Sequence, residues 1–118
     1  MTFAALATTL ACAKSAADHE VLGDRWYATA AYPDALAEYR LGLRAGAGGA
    51  ALHAKAALAA LHTGDLRVAA EQYRELAHAD QSRTDESADG LERTARAAVA
   101  ANDRGALAAA LQGLREAA

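Results

Sequence analysis

The sequence is poor in the residues that break helices or staple loops: it has one Pro, one Cys, one Trp and one Phe, and aromatics make up only 5% of it. A lone cysteine, Cys12, has no partner for an internal disulfide, so the fold must rest on packing alone. Lysine is nearly missing too, with only Lys14 and Lys55, so positive charge is carried by Arg. Twelve Lys and Arg stand against 15 Asp and Glu, for a net charge of −3 and a pI near 5.7. Nucleic acid and anionic membrane surfaces favour the opposite balance. No strand pattern is present, and with it no Gly-rich loop that could cradle a phosphate. What is abundant is alanine, 37 of 118 residues, the best intrinsic helix former. An all-α domain follows, and since a methyl group buries little surface at roughly 25 cal/mol per Å2, its helices must approach closely and gain little per contact.

Taken in order, helical patterns alternate with short breaks. Ser15 and Asp18 carry the side-chain oxygens that open a helix running to about Thr29. Pro33 suits only a first turn, so a second helix starts there and runs to about Arg44. Its apolar stripe is Ala35, Leu36, Tyr39 and Leu43, and Gly42 inside it implies the close approach of a neighbour. The glycines of residues 45–50 end this hairpin. The next pair covers about Ala51 to His62, then Leu66 to about Ala79, with Asp65 placed to cap the latter and a stripe of Leu66, Ala69, Ala70, Tyr73, Leu76 and Ala77. A polar linker, HADQSRTDES, leads to a third pair: Leu91 to Ala101, capped by Ser87 or Asp85, then Gly105 to Glu116, capped by Asp103. In that last helix the large core residues are Leu107, Leu111 and Leu114.

The hairpins repeat. Tyr32, Ala35 and Tyr39 answer to Leu66, Ala69 and Tyr73 at a step of 34 residues (66−32, 69−35, 73−39). Asn102-Asp103 answers Gly64-Asp65 at 38 (102−64), four residues longer. A period of 34 in helix–turn–helix units resembles the tetratricopeptide repeat. Leu22, Gly23, Trp26, Ala35 and Tyr39 fit that family's register, whereas its leading Trp is replaced by His19 and its closing Pro falls on Ala47. The resemblance implies antiparallel helical hairpins stacked in a short right-handed superhelix, with repeats at about 16–46, 50–80 and 87–117 of a domain spanning 15–118. It also implies that the first helix of each repeat lines a groove for a peptide or a partner's helix. Carried over by register, the groove positions are Glu20, Asp24 and Tyr27, then Ala54, Leu58, Leu61 and His62, then Glu92, Arg96 and Val99. Such a groove is acidic at one end and apolar in the middle, which disfavours a peptide's C-terminal carboxylate and favours an apolar or basic segment. Leu58 and Leu61 have an equal claim to the core. Tyr32 and Tyr39 belong to the core.

The first 13 residues, MTFAALATTLACA, carry no charged side chain. The run is too short to span a bilayer, which takes about 20 residues, but has the length of a signal-peptide core. Thr9-Leu10-Ala11 before Cys12 resembles a bacterial lipobox, although Leu10 sits two places before the Cys rather than three and no Lys or Arg precedes the run. The resemblance implies that the apolar segment 1–14 holds a lipoprotein signal, cut before Cys12 so that the mature chain begins at an acylated Cys12 and is tethered in the bacterial cell envelope. The alternative is a helical extension with an ordinary thiol, on a cytoplasmic protein.

Chemistry finds little purchase. His53 and His62, nine residues apart on one helix, point to opposite faces at about 100° per residue, and His53 with His78 alone make a poor zinc site. Asp18, His19, Glu20 and Asp24 read as a solvated helix face, with no apolar pocket to shift their pKa values. The expectation is a non-catalytic protein with no metal or cofactor, acting as an interaction scaffold or adaptor. A structural role through homo-oligomerisation is the alternative.

Overall fold

A computed structural model of the chain describes residues 14–46 and 49–118; Cys12 and Ala47 lie outside them. Six α-helices follow one another, α1 (Ala16–Ala28), α2 (Tyr32–Arg44), α3 (Ala50–Thr63), α4 (Leu66–Ala79), α5 (Thr84–Ala100) and α6 (Arg104–Ala117), and no strand occurs among the described residues. The fold is all-α. Helices pack in adjacent pairs, α1 on α2, α3 on α4 and α5 on α6, and the pairs join through α2 on α3 and through α4 on both α5 and α6.

Local signals in the sequence set most of these boundaries. Ser15 accepts from the Asp18 N–H at 3.2 Å while Asp18 accepts from the Ser15 N–H at 3.0 Å, a reciprocal capping box that opens α1. Pro33 stands in the first turn of α2, where its missing N–H costs nothing. Each hairpin then turns through one residue of positive φ: Ala30 at 59°, Gly64 at 87° and Asn102 at 53°. After it the next N–H reaches back into the finished helix, Ala31 to the Trp26 carbonyl, Asp65 to Ala60 and Asp103 to Ala98. The steps between these turns are 34 (64−30) and 38 (102−64), so the third hairpin repeats the first two with four residues added.

Small residues let the helices close. Ala56, Ala57, Ala59 and Ala60 of α3 are fully buried, as are Ala35 in α2 and Ala69 and Ala70 in α4. The Tyr39 ring packs against Gly23 and the Tyr73 ring against Gly90, in each case so near that a Cβ on the glycine would overlap it. Gly42 is explained the same way, since a Cβ there would come within 3.0 Å of Leu52 Cδ2 and 3.3 Å of the Ala16 carbonyl oxygen.

The structure departs from the sequence reading at the start of α5, at two caps and at two expected core residues. The polar stretch 78–87 is not a linker: a single 3-10 turn, Gln81–Arg83, runs directly into α5, which starts at Thr84. Ser87 therefore caps nothing; it is fully buried inside α5 and its hydroxyl donates to the Tyr73 carbonyl oxygen. Asp65 occupies the N-cap position of α4 without capping it, whereas Asp103 accepts from the Ala106 N–H at 3.0 Å. Leu111, expected in the core, is 42% exposed, and Tyr32 is only half-buried.

Candidate functional site

The helices α1, α3 and α5 bring two clefts to one side of the molecule, separated by the half-buried Leu58. The first, about 180 Å3, is lined by Asp24, Tyr27, Tyr39, Lys55 and Leu58. Lys55 Nζ donates to Glu20 Oε1 at 2.8 Å and to Asp24 Oδ2 at 2.9 Å, tying α3 to α1. The Tyr39 hydroxyl donates to the other Asp24 oxygen at 2.7 Å. Burial works to raise the Asp24 pKa, but the bonds from Lys55 and Tyr39 outweigh it and hold the carboxyl below its ordinary value. Burial likewise acts to lower the Lys55 pKa and is overcome by the two carboxylates, leaving the ammonium above its ordinary value. Burial and then the Asp24 carboxylate push the Tyr39 hydroxyl far up.

The second cleft, about 390 Å3, is lined by Ala54, Leu58, Tyr73, Glu86, Asp89, Gly90 and Arg93. Glu86 is held by Arg83 of the preceding 3-10 turn, through bonds of 2.8 and 2.9 Å. Further along α5, Arg96 bonds to Glu92 at 2.6 Å with both side chains largely in water, an i, i+4 pair worth about 0.3–0.5 kcal/mol. On the opposite side, Arg74 meets Glu116 through two bonds of 2.9 and 2.6 Å within a separate polar hollow between α4, α5 and α6.

Of the residues expected in a groove, Glu20, Asp24, Tyr27 and Leu58 do come together around the first cleft. Leu61 does not. It packs instead against the cores formed with Tyr39 and Leu52 on one side and with Leu66 and Ala98 on the other. His62 lies outside both clefts; its ring stacks on Tyr32 at 4.4 Å, with Tyr27 edge-on at 5.9 Å. Arg96 sits on the outer edge of α5, paired as described, and Val99 is 64% exposed beside a different hollow near Leu107.

The acidic end expected for the groove is largely cancelled in place by Lys55, which the groove register had passed over. Nor is the α1 acid cluster a merely solvated face. Asp18 caps the helix, and His19 Nδ1 donates to Glu38 at 2.7 Å across the hairpin. The same bond recurs one repeat later, His53 to Gln72 at 2.7 Å, with both partners displaced by 34 (53−19, 72−38). Sequence reasoning also missed Tyr73 and Arg93, which line the second cleft. One signal was available for Lys55, as the single cation in an α3 otherwise built of Ala, Leu, His and Thr.

Among the described residues no three His, Cys, Asp or Glu side chains lie close enough to hold a metal ion, and no helix is long and apolar enough to cross a membrane. Comparison with protein-family models, with curated proteins and with solved structures finds no match for this chain.

Proposed function

We propose that this chain is a non-catalytic protein–protein interaction scaffold of tetratricopeptide type, holding an apolar peptide segment or partner helix along α1, α3 and α5. The observation that carries this reading is the placement of Leu58, a half-buried aliphatic side chain shared by two open clefts whose rims carry charged groups from α1, α3 and α5. Apolar floors with polar rims are how such sites combine burial with orientation. The recurrence of the buried tyrosines, of the turns and of the His19–Glu38 bond supports the family assignment, with His19 and His53 standing where the family's leading Trp would be. The test is selection of binding peptides from a random displayed library by the full chain. Binding should fall with Tyr27→Ala and with Leu58→Glu while helical circular dichroism is retained; peptides indifferent to both variants would overturn the reading. For location, the resemblance of Thr9-Leu10-Ala11-Cys12 to a lipobox supports a lipid-anchored protein of the bacterial envelope, and Cys12→Ser should then shift it from membrane to soluble fractions.

A structural, homo-oligomeric role is the second reading, favoured by one observation. Among the described residues the exposed large apolar side chains, Val21, Trp26, Leu41, Val99 and Leu111, all fall on the first and last hairpins and none on the middle one. Light scattering across a concentration series decides it, since a strictly monomeric protein sinks the oligomer.

A further inference from the structure

Part of the second cleft repeats the first, one repeat on. Going from the first to the second, Glu20 becomes Ala54 and Asp24 becomes Leu58, each 34 residues on (54−20, 58−24). Tyr39 becomes Tyr73 at the same step (73−39), and Lys55 becomes Arg93 across the longer step of 38 (93−55). The cation and the phenol are thus kept while both carboxylates are replaced by apolar side chains. In the first cleft the chain closes the cluster itself, because Asp24 accepts from both Lys55 and Tyr39. In the second, no carboxylate among the described residues stands within 4.0 Å of the Arg93 guanidinium, and the Tyr73 hydroxyl, on a residue only 4% exposed, reaches solvent and has no hydrogen-bond partner among them. Guanidinium and phenol line this one cleft together with Leu58 and Ala54, and burial raises the pKa of the hydroxyl.

We propose that the second cleft takes an acidic side chain, Asp or Glu, of a partner peptide, its carboxylate bridging Arg93 and the Tyr73 hydroxyl while a neighbouring apolar side chain covers Leu58 and Ala54. The ligand supplies in trans what Asp24 supplies in cis one repeat earlier. A planar guanidinium offers paired donors matched to a carboxylate, and the phenol adds a third donor at a fixed angle. The remaining charges set the selectivity. Glu86 is neutralised by Arg83, and Asp89 lies one turn from Arg93 on the same helix, so the cleft as a whole is close to neutral. A free small anion therefore has little field to draw it in, whereas a carboxylate attached to an apolar neighbour gains the burial as well. The proposal rests on the interaction reading above and gives its partner a chemistry.

The experiment uses the full chain and a displayed random dodecapeptide library whose C-termini are fused, so that no free chain end is offered. Selected peptides should carry Asp or Glu beside an aliphatic residue, and replacing that acid by its amide should weaken binding about ten- to a hundredfold, as expected for a lost hydrogen bond to a charged group. Arg93→Gln should cost the same factor for the acidic peptide and nothing further for its amide. Arg93 is exposed, so the variant should fold, which circular dichroism checks. Leu58→Asp, placing an acid where Asp24 stands one repeat earlier, should abolish capture of acidic peptides by closing the cleft from within. Peptides that bind without an acid, or that bind Arg93→Gln equally well, overturn this proposal and leave the interaction face standing. Binding restored only when peptides with free C-termini are supplied overturns it in favour of a chain-end carboxylate. An absence of any bound peptide in either format overturns both readings.

Discussion

Tyr39 and Tyr73 occupy equivalent positions on α2 and α4, and each presses its ring on a glycine, but among the described residues only the Tyr39 hydroxyl finds an acceptor. Tyr39→Phe should therefore cost about 1 kcal/mol in urea unfolding, and Tyr73→Phe close to nothing. Equal losses would show that Tyr73 has a partner after all. The glycines carry the larger effect. Gly90→Ala gains about 1 kcal/mol of helix propensity but forces a Cβ into the Tyr73 ring, on a residue only 4% exposed, and overpacking of this kind costs about 1–3 kcal/mol. A net loss of stability is expected, read by the urea midpoint. Asp24 ties this cluster to pH. Its folded-state pKa lies below the ordinary value of 3.8, so its contribution to stability is present above that value and is lost as pH falls through the lower, folded pKa. With the side chain 47% exposed, solvent screening keeps the effect small. Asp24→Asn should flatten the acid limb of a stability–pH curve and leave its neutral-to-alkaline side parallel to that of the wild type.

At the level of the helix, what could be read from sequence was whatever is written locally. The stripes of α2 and α4, the Pro33 start and the Ser15 cap depend on neighbours within about four residues, and the structure has them where periodicity placed them. The start of α5 failed for a physical reason. The buried residues before Leu91 are only Ser87 and Gly90, and the Ser87 hydroxyl bonds to the Tyr73 carbonyl, so no apolar stripe announces the first two turns of the helix. The Lys55 bonds to Glu20 and Asp24 span 35 and 31 residues and join different hairpins, a pairing that no local pattern encodes. Register alone placed Leu61 beside Leu58, yet the third hairpin covers the one and leaves the other open. The caps allow a direct comparison between elements. Asp103→Ala should cost about 1 kcal/mol because its side chain satisfies the Ala106 N–H, while Asp65→Ala should cost less, since that side chain caps nothing. Comparable losses in thermal unfolding would contradict the assigned geometry.

For the molecule as a whole, packing runs from each hairpin to the next, with α2 on α3 and α4 on α5 and α6, so stability accumulates along the stack and is greatest where both sides are covered. Amides of α3 and α4 should exchange with solvent deuterium most slowly, and those of α1 and α6 fastest. Protection that is uniform along the chain would instead indicate a single all-or-none unit. The same arrangement bears on how the chain acquires its shape during synthesis. Each helix finds its partner among residues already made or about to be made, so loop closure is short and its entropic cost low. A nascent chain that has released α1 to α4 can already bury Tyr39, Leu52 and Ala69 against one another without waiting for its C-terminal third.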